Sequence, residues 1–284
     1  MKKVVSFILI LTLVLGFMSG CRGVEGVLIA DAIGGNQGDD LIRIRIGATP
    51  IPHQEILEYI MPYLREDGVV LEIVPFTEFP LVNPALADGS LDANYFQHVP
   101  FLNMFMEATG TDLRVLGEIH VEPMGAYSSR WNDINDLPYG ATVAMPNDVA
   151  NNARALLLLQ ENGLVELDPA ADPARLTADD IIYNPLGLVV MTFDAAMLPR
   201  VLVDDQVDLA FVNTNHLLAG APAFNPRYDS LIREGFEDNP FANVLVTRPE
   251  FENHPAMLTL LRHLQSERVR AFILRSYYGV EPVF

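Results

Sequence analysis

Hydrophobic and polar residues alternate in two different ways along the chain from about residue 41 onward. Ile42, Ile44 and Ile46 are separated by arginines, which predicts a half-buried strand. Between residues 56 and 64 the apolar side chains fall on one face of a helix, although Pro62 predicts a kink or an early end. Further strands are predicted over residues 69–76, 115–119, 141–145, 208–212 and 244–247.

Helical segments alternate with these strands. Further helices are predicted over residues 99–108, 148–162, 255–265 and 266–278. The helix over residues 148–162 should have Asn147 or Asp148 as its N-cap and should end at Gly163. Ser266 and Gly279 should begin and end the last helix. Because strands and helices alternate, we predict an α/β fold with parallel sheets covered by helices, in which ligands collect at the C-terminal ends of the strands.

The first 20 residues follow neither pattern. Two lysines precede an uncharged apolar run over residues 4–17, which is shorter than the roughly 20 residues that a membrane span needs. Residues 18–20, Met-Ser-Gly, then lead to Cys21 in the manner of a lipobox. We therefore predict a lipoprotein signal peptide over residues 1–20 and lipidation of Cys21. The alternative is an ordinary signal peptide followed by an incidental cysteine.

The next segment predicts a linker and not a further element. Residues 21–40 are rich in glycine and polar side chains, which is typical of a flexible tether between a lipid anchor and a folded body. Beyond them the sequence has no uncharged apolar stretch of membrane-spanning length. The remaining length allows one large domain or two small ones.

The composition excludes several classes of function. With 37 acidic and 18 basic residues the formal net charge is −19, which opposes binding to nucleic acid. Half of the residues are hydrophobic, as in a packed globular protein. Cys21 is the only cysteine, so no disulfide can form within the chain and no multi-cysteine zinc site is possible.

The sequence lacks the common motifs of enzymes. It has no Gly-x-Ser-x-Gly turn, no glycine-rich phosphate loop and no His-Glu-x-x-His helix. Folding could still gather His53, His98 and His120 with an acidic residue into a zinc site, but the spacing does not favour this over packing or hydrogen-bonding roles. We therefore expect no metal and no cofactor, and an enzyme tethered to the membrane stays as an alternative.

Three stretches carry candidate binding chemistry, and the first is residues 89–101. Phe96, His98 and Phe101 follow one another closely after a turn and a short strand. Aromatic rings in such a position form the wall of an apolar pocket, and a histidine adds a polar edge to it. Alternatively, these rings only seal the core of a domain.

The second stretch, residues 145–154, passes from a strand into a helix. Asn151 and Arg154 are three residues apart and therefore share one face of that helix near its N-terminus. A helix N-terminus attracts anions, and a guanidinium nearby forms a fork that suits a carboxylate. The alternative is a surface arginine that pairs with one of the many acidic groups.

The third stretch, residues 208–215, is an apolar strand that ends in amide side chains. Asn213 and Asn215 lie where α/β folds present groups to a ligand, so their oxygens are suited to accept from a substrate ammonium. The alternative is that they cap the following helix.

Taken together, these strings resemble those of NlpA-type lipoproteins, the methionine-binding receptors of ATP-driven methionine importers. The resemblance runs in family order from about residue 43 to the C-terminus. The matching strings are Gly47-Ala48-Thr49-Pro50, Pro52-His53, Gly89-Ser90-Leu91-Asp92-Ala93-Asn94, Phe96-Gln97-His98, Pro146-Asn147-Asp148, Arg154-Ala155-Leu156, Asn184-Pro185, Leu198-Pro199-Arg200 and Val212-Asn213.

The resemblance implies a type II periplasmic-binding-protein fold, in which two α/β lobes enclose a ligand cleft. We expect lobe 1 to comprise residues 41–123 and 236–284, and lobe 2 residues 124–235. The implied protein is a monomer that is lipid-anchored on the extracytoplasmic face of the cell membrane. It captures methionine and delivers it to an ABC transporter permease. Another apolar amino acid or a methionyl dipeptide is an alternative ligand, and an adhesive or structural lipoprotein is an alternative function.

The resemblance also assigns roles to residues. Arg154 and Asn151 would bind the carboxylate of the ligand, and Asn213 would help to hold its ammonium. The thioether side chain would lie among the rings of Phe79, Phe96, His98 and Phe101. Phe79 is assigned by the resemblance alone. The family usually has tyrosine at positions 79 and 101, so this pocket would lack two hydroxyls and accept a wider range of apolar side chains.

Overall fold

The structure, a computed structural model, describes residues 41–284. The predicted signal peptide (residues 1–20), Cys21 and the predicted tether (residues 21–40) lie outside the described residues. Among the helices of the described part, none has both the length and the apolar character that a bilayer crossing requires.

Strands and helices alternate along the described chain as the hydrophobic pattern predicts. The strands are β1 (Ile42–Ala48), β2 (Val69–Pro75), β3 (Ala93–His98), β4 (Arg114–Val121), β5 (Gly125–Tyr127), β6 (Thr142–Pro146), β7 (Glu166–Leu167), β8 (Ile181–Tyr183), β9 (Val189–Phe193), β10 (Leu209–Val212), β11 (Ile232–Arg233), β12 (Ala242–Thr247) and β13 (Glu281–Pro282). The α-helices are α1 (Glu55–Glu66), α2 (Val82–Ala87), α3 (Val99–Thr109), α4 (Val149–Glu161), α5 (Leu198–Val203), α6 (Thr214–Gly220), α7 (Pro255–Leu264) and α8 (Glu267–Ser276).

The strands form two principal sheets. The first has the order β13-β4-β12-β3-β1-β2 and the second β11-β5-β10-β6-β9, while β7 and β8 pair separately. β1 is parallel to β2 and β3, and β6 is parallel to β9 and β10. β12, however, is antiparallel to both β3 and β4, and β5 is antiparallel to β10. Each sheet thus contains the predicted parallel strands, together with strands that arrive from the other sheet and run in the opposite direction.

The chain crosses between the two sheets twice. Residues 122–124, here called the first connector, lead from β4 to β5, and residues 234–241, the second connector, lead from β11 back to β12. Each sheet packs its own buried hydrophobic core against helices. β3, β4, β6 and β10 all end beside the gap between the sheets, which places their C-terminal residues next to one another.

Of the two outcomes predicted for Pro62, an early end of its helix does not occur. α1 continues through Pro62 to Glu66. Proline removes the hydrogen bond that its nitrogen would donate to the carbonyl of Glu58, four residues earlier. Both residues lie on the exposed face of the helix, where water can hydrate that carbonyl, so the helix tolerates the loss.

The last helix differs from the prediction at its C-terminal end. α8 ends at Ser276, before Gly279, because Tyr277 adopts an extended backbone and its buried ring packs into the first core. The Tyr277 hydroxyl donates a hydrogen bond to Glu55 at 2.5 Å. At the other end, Ser266 is the N-cap residue as predicted, but its hydroxyl donates to the carbonyl of His263 and makes no capping hydrogen bond.

α4 begins as the sequence predicts, and most of its residues are buried. Its N-cap is Asp148, whose carboxylate accepts a hydrogen bond from the backbone nitrogen of Asn151 at 2.9 Å. Gly163 follows its end with a φ of 71°, a conformation that glycine adopts without strain. This anchored first turn determines where Asn151 and Arg154 point.

Candidate functional site

A small cavity lies between the two sheets. The first sheet and its helices supply one side, α4 and the end of β10 supply the other, and the first connector lies between them. Its lining includes every residue that the sequence analysis singled out for the ligand: Phe79, Phe96, His98, Phe101, Asn151, Arg154 and Asn213.

Three phenylalanines form an aromatic wall on the side of the first sheet. The ring centroids of Phe79, Phe96 and Phe101 are 5.9–6.0 Å apart, with tilted or edge-to-face contacts. Phe96 is a residue of the fully buried strand β3, and Phe101 lies in the first turn of α3. The rings also belong to a local hydrophobic core. They therefore line the cavity and seal the core of the domain at the same time.

His98 connects the aromatic side of the cavity to the polar side. Its Nδ1 accepts a hydrogen bond from the backbone nitrogen of Phe101 at 3.2 Å, which leaves the proton on Nε2. Nε2 then donates to Oδ1 of Asn151 at 3.3 Å. Burial, followed by the charge of Arg154, lowers the pKa of His98 to about 3, so the ring is neutral at physiological pH.

Two asparagines continue this chain of hydrogen bonds across the polar side. Asn151 donates through Nδ2 to Asp148 and accepts through Oδ1 from Nδ2 of Asn213 at 2.9 Å. Oδ1 of Asn213 is buried and has no hydrogen-bond partner among residues 41–284. The Asn213 side chain does not cap α6, which excludes the capping alternative for this residue. The cavity thus contains an open acceptor that suits an N–H donor.

Arg154 is buried, with an exposed fraction of 4%. The interpretation as a surface arginine is therefore wrong, although the residue does pair with an acid. Nε and Nη2 donate to the Glu234 carboxylate at 2.6 and 2.5 Å, and Nη2 also donates to the carbonyl of Glu122 at 2.8 Å. The guanidinium lies 4.1 Å from the ring centroid of Phe241. These contacts fix its orientation, and Nη1 has no hydrogen-bond partner in the described chain.

Glu122, which the sequence analysis missed, is the buried carboxylate of the cavity lining. It lies in the first connector, directly after β4. Its Oε1 is 2.7 Å from Nε2 of His120 and 3.4 Å from Nε2 of His53. Burial raises the pKa of Glu122, and the nearby polar groups oppose that shift. The only signal in the sequence is an acidic residue between two apolar strands.

Two buried histidines lie next to the Glu122 carboxylate. The Thr49 hydroxyl lies 2.7 Å from Nδ1 of His53, and the Tyr95 hydroxyl 2.5 Å from Nδ1 of His120. Burial lowers the pKa of His53 to about 4 and that of His120 to about 3, so both rings are neutral. Neutral rings that accept from hydroxyls at Nδ1 carry their protons on Nε2. His120 donates this proton to Glu122 at 2.7 Å, whereas His53 donates it to Oδ1 of Asn243 at 3.0 Å.

The same three side chains form the one group in residues 41–284 whose donor atoms lie close enough to hold a metal ion. The ligand atoms of His53, His120 and Glu122 are within 4.8 Å of one another. The zinc alternative thus named two of these histidines correctly, but His98 faces Asn151 instead. Each ring nitrogen of His53 and His120 has a hydrogen-bond partner here, and for Nε2 of His53 that partner is Oδ1 of Asn243.

Comparison with known proteins identifies the family. A profile of the NlpA lipoprotein family matches residues 44–283. The chain belongs to the NlpA lipoproteins.

Several members of this family are similar to the chain over most of its length. The methionine-binding lipoprotein MetQ of Bacillus subtilis is 34% identical over 257 residues, 89% of this chain and 93% of the relative. The membrane lipoprotein TpN32 of Treponema pallidum is 35% identical over 239 residues, 84% of this chain and 87% of the relative.

A solved structure gives the fold of this NlpA lipoprotein. A nutrient binding protein from Burkholderia cenocepacia, bound to methionine, superimposes with a TM-score of 0.81 at 34% identity. The match covers 85% of this chain and 100% of that one. The predicted type II periplasmic-binding-protein fold, with two α/β lobes and a cleft between them, is confirmed.

The buried histidines of this NlpA lipoprotein predict acid sensitivity. Burial lowers the pKa of His98 and His120 to about 3, and that of His53 and His216 to about 4, from an ordinary 6.5. Their contribution to stability is complete above pH 6.5 and decreases as the pH falls toward those values. At pH 5 each neutral ring lowers the free energy of unfolding by about 2 kcal/mol relative to its value above pH 6.5. The raised pKa of Glu122 acts in the opposite direction and offsets only part of this loss.

We therefore expect calorimetry to give a thermal unfolding midpoint about 10 °C or more lower at pH 5 than at pH 7. His216→Phe is the matched control, because the His216 ring packs on Phe79 at 4.6 Å and its buried Nε2 has no partner among the described residues. This variant should lose part of the acid sensitivity. Equal midpoints at the two pH values would contradict the prediction.

Proposed function

We propose that this protein captures methionine in the cavity between its lobes and delivers it to an ABC importer. One observation carries the proposal: an arginine, a carboxylate and an open amide oxygen, all buried, face an aromatic wall across one small cavity. An α-amino acid with an apolar side chain has the complementary groups. The names of the relatives, and the methionine bound to one of them, support the same ligand.

The head group would bind on the polar side. Nη1 of Arg154 would donate to the ligand carboxylate, because the other donors of the guanidinium are already paired with Glu234 and a backbone carbonyl. The ammonium would lie between the Glu122 carboxylate and Oδ1 of Asn213. Asn151, whose amide donors are paired with Asp148, would orient Asn213 and His98 as well as border the carboxylate.

The side chain would bind on the aromatic side. Burying a side chain of this size contributes about 1.5–3 kcal/mol. A thioether gains about 0.3–1.5 kcal/mol more from each contact between its sulfur and a ring edge, which favours methionine over leucine. Phe79, Phe96 and Phe101 would supply those contacts.

Ligand binding would favour the closed arrangement of the lobes. We propose residues 41–123 and 236–284 as lobe 1 and residues 124–235 as lobe 2, which agrees with the strands that each sheet contains. The aromatic wall then belongs to lobe 1, and Arg154 and Asn213 belong to lobe 2. A ligand that contacts both lobes stabilises the state in which they are close.

Titration calorimetry with the purified protein tests the proposal. We expect methionine to bind more tightly than leucine, and native mass spectrometry to find an amino acid of matching mass in the protein as isolated. The ligand should be recovered unchanged, as a receptor and not an enzyme requires. If another apolar amino acid or a methionyl dipeptide binds more tightly, that compound and not methionine is the ligand. If none of these compounds binds, the proposal is refuted.

We also propose that the protein is a lipid-anchored monomer on the extracytoplasmic face of the membrane. The lipobox before Cys21 supports the anchor. Two or more acyl chains bind a membrane stably, so Cys21→Ser should move most of the protein from the membrane fraction to the soluble fraction. Ser19→Ala, which keeps a small side chain at the lipobox, is the matched control. Unchanged fractionation of Cys21→Ser would contradict the anchor.

A further inference from the structure

A second space lies directly behind the aromatic wall. It is an open groove of about 210 Å³ whose surface is almost entirely apolar. Phe79 and Phe101 line both this groove and the cavity, so the two rings form the partition between them. The other lining residues are Pro80, Asn83, Met104, Phe105, Asp148, Val149 and Ala150.

The partition depends on ring packing alone. The centroids of Phe79 and Phe101 are 6.0 Å apart in an edge-to-face contact, and neither ring carries a hydroxyl that could be fixed by a hydrogen bond. Phe101 is only half-buried, because one side of its ring faces the groove. Rotation of these rings therefore breaks no hydrogen bond.

Both lobes contribute to the groove, which ends at an exposed aliphatic residue. Pro80, Met104 and Phe105 come from the side of the first sheet, and Val149 and Ala150 come from the first turn of α4. Val149 is 46% exposed at the rim. An apolar occupant would bury this side chain together with the outer faces of the partition rings.

We propose that the groove is an extension subsite for α-amino acids whose unbranched apolar side chains are longer than that of methionine. The proposal rests on the proposed function, since the head group must bind at Arg154 and Glu122 for the side chain to point at the aromatic wall. The atoms beyond the wall would then enter the groove. A charged side-chain end would be excluded, because no arginine, lysine or histidine lines the groove and Asp148 is paired with Asn151.

A chain-length series tests the subsite. Calorimetry would compare methionine with norleucine, 2-aminoheptanoate, 2-aminooctanoate and 2-aminodecanoate. We expect the affinity to rise again beyond norleucine, by roughly fourfold for each CH₂ that enters the groove. A steady loss of affinity with each added CH₂, while methionine still binds, would overturn the subsite and leave the proposed function intact. If methionine itself does not bind, the proposed function fails.

Val149→Asn places a polar amide in the groove at a residue that does not itself line the cavity. We expect it to weaken 2-aminooctanoate binding relative to methionine binding by about three- to tenfold. Val189→Asn is the matched control, because Val189 is similarly exposed, at 49%, but lies on β9 away from the groove. Met104→Gln repeats the test from the opposite wall. An unchanged ratio of the two affinities in both groove variants would exclude the groove as the binding site of the longer chain.

Discussion

Replacing Arg154 with alanine is expected to weaken methionine binding by at least about a hundredfold. A hydrogen bond to a charged group contributes roughly 1.5–3 kcal/mol, and the variant also leaves the ligand carboxylate without its buried counter-charge. Calorimetry would measure the loss directly. An unchanged affinity in a folded Arg154→Ala protein would remove this residue from the binding site.

Two controls separate binding from stability in this experiment. The side chain of Glu234 is only 11% exposed, so Arg154→Ala leaves a partly buried carboxylate with fewer partners and should lower the free energy of unfolding by about 1–3 kcal/mol. Glu234→Gln perturbs the same pair but keeps the guanidinium, and should retain most of the affinity. Arg154→Lys keeps the charge but loses the planar fork, and should bind at least about tenfold more weakly than the native protein.

The second large effect is expected for Glu122→Gln, which should reduce methionine affinity by roughly a hundredfold. The variant keeps an oxygen that can accept from His120, so the fold should be preserved. What it removes is the buried negative charge facing the ligand ammonium, and breaking a buried ion pair costs about 3 kcal/mol or more. The matched ligand is the 2-hydroxy analogue of methionine, for which the native protein and the variant should differ much less.

The pH dependence of methionine affinity tests the role of the Glu122 charge independently. Because burial raises the pKa of Glu122 above its ordinary 4.5, protonation of the free receptor begins at a higher pH than for an exposed glutamate. Methionine affinity should therefore fall as the pH falls through that range, and Glu122→Gln should be less affected. Parallel pH profiles for the two proteins would indicate that Glu122 does not bind the ammonium.

The residues that the sequence predicted are those fixed by local geometry. Asn151 and Arg154 could be assigned to one face because a single helix, capped by Asp148, determines their directions. Phe96 and Phe101 could be assigned because β3 passes directly into α3. Phe79 has no such local signal and came only from the family resemblance.

The missed features depend on contacts between distant segments. Glu122 is one of 37 acidic residues, and what distinguishes it is burial beside His53, which comes from another part of the chain. The pairing of Arg154 with Glu234 spans 80 positions. β12 is antiparallel to its neighbours because the chain returns to the first sheet through the second connector. The hydrophobic pattern of a strand does not reveal its direction in the sheet.

The contacts of Arg154 have a consequence for the kinetics of capture. The guanidinium bonds to the carbonyl of Glu122 in the first connector and to the carboxylate of Glu234 in the second, so it lies at the axis about which the lobes would rotate. Groups near such an axis move little, and the head-group contacts should already exist in the open receptor. Ligands with the same head group should then associate at similar rates, and differences among their side chains should appear mainly as differences in dissociation rate.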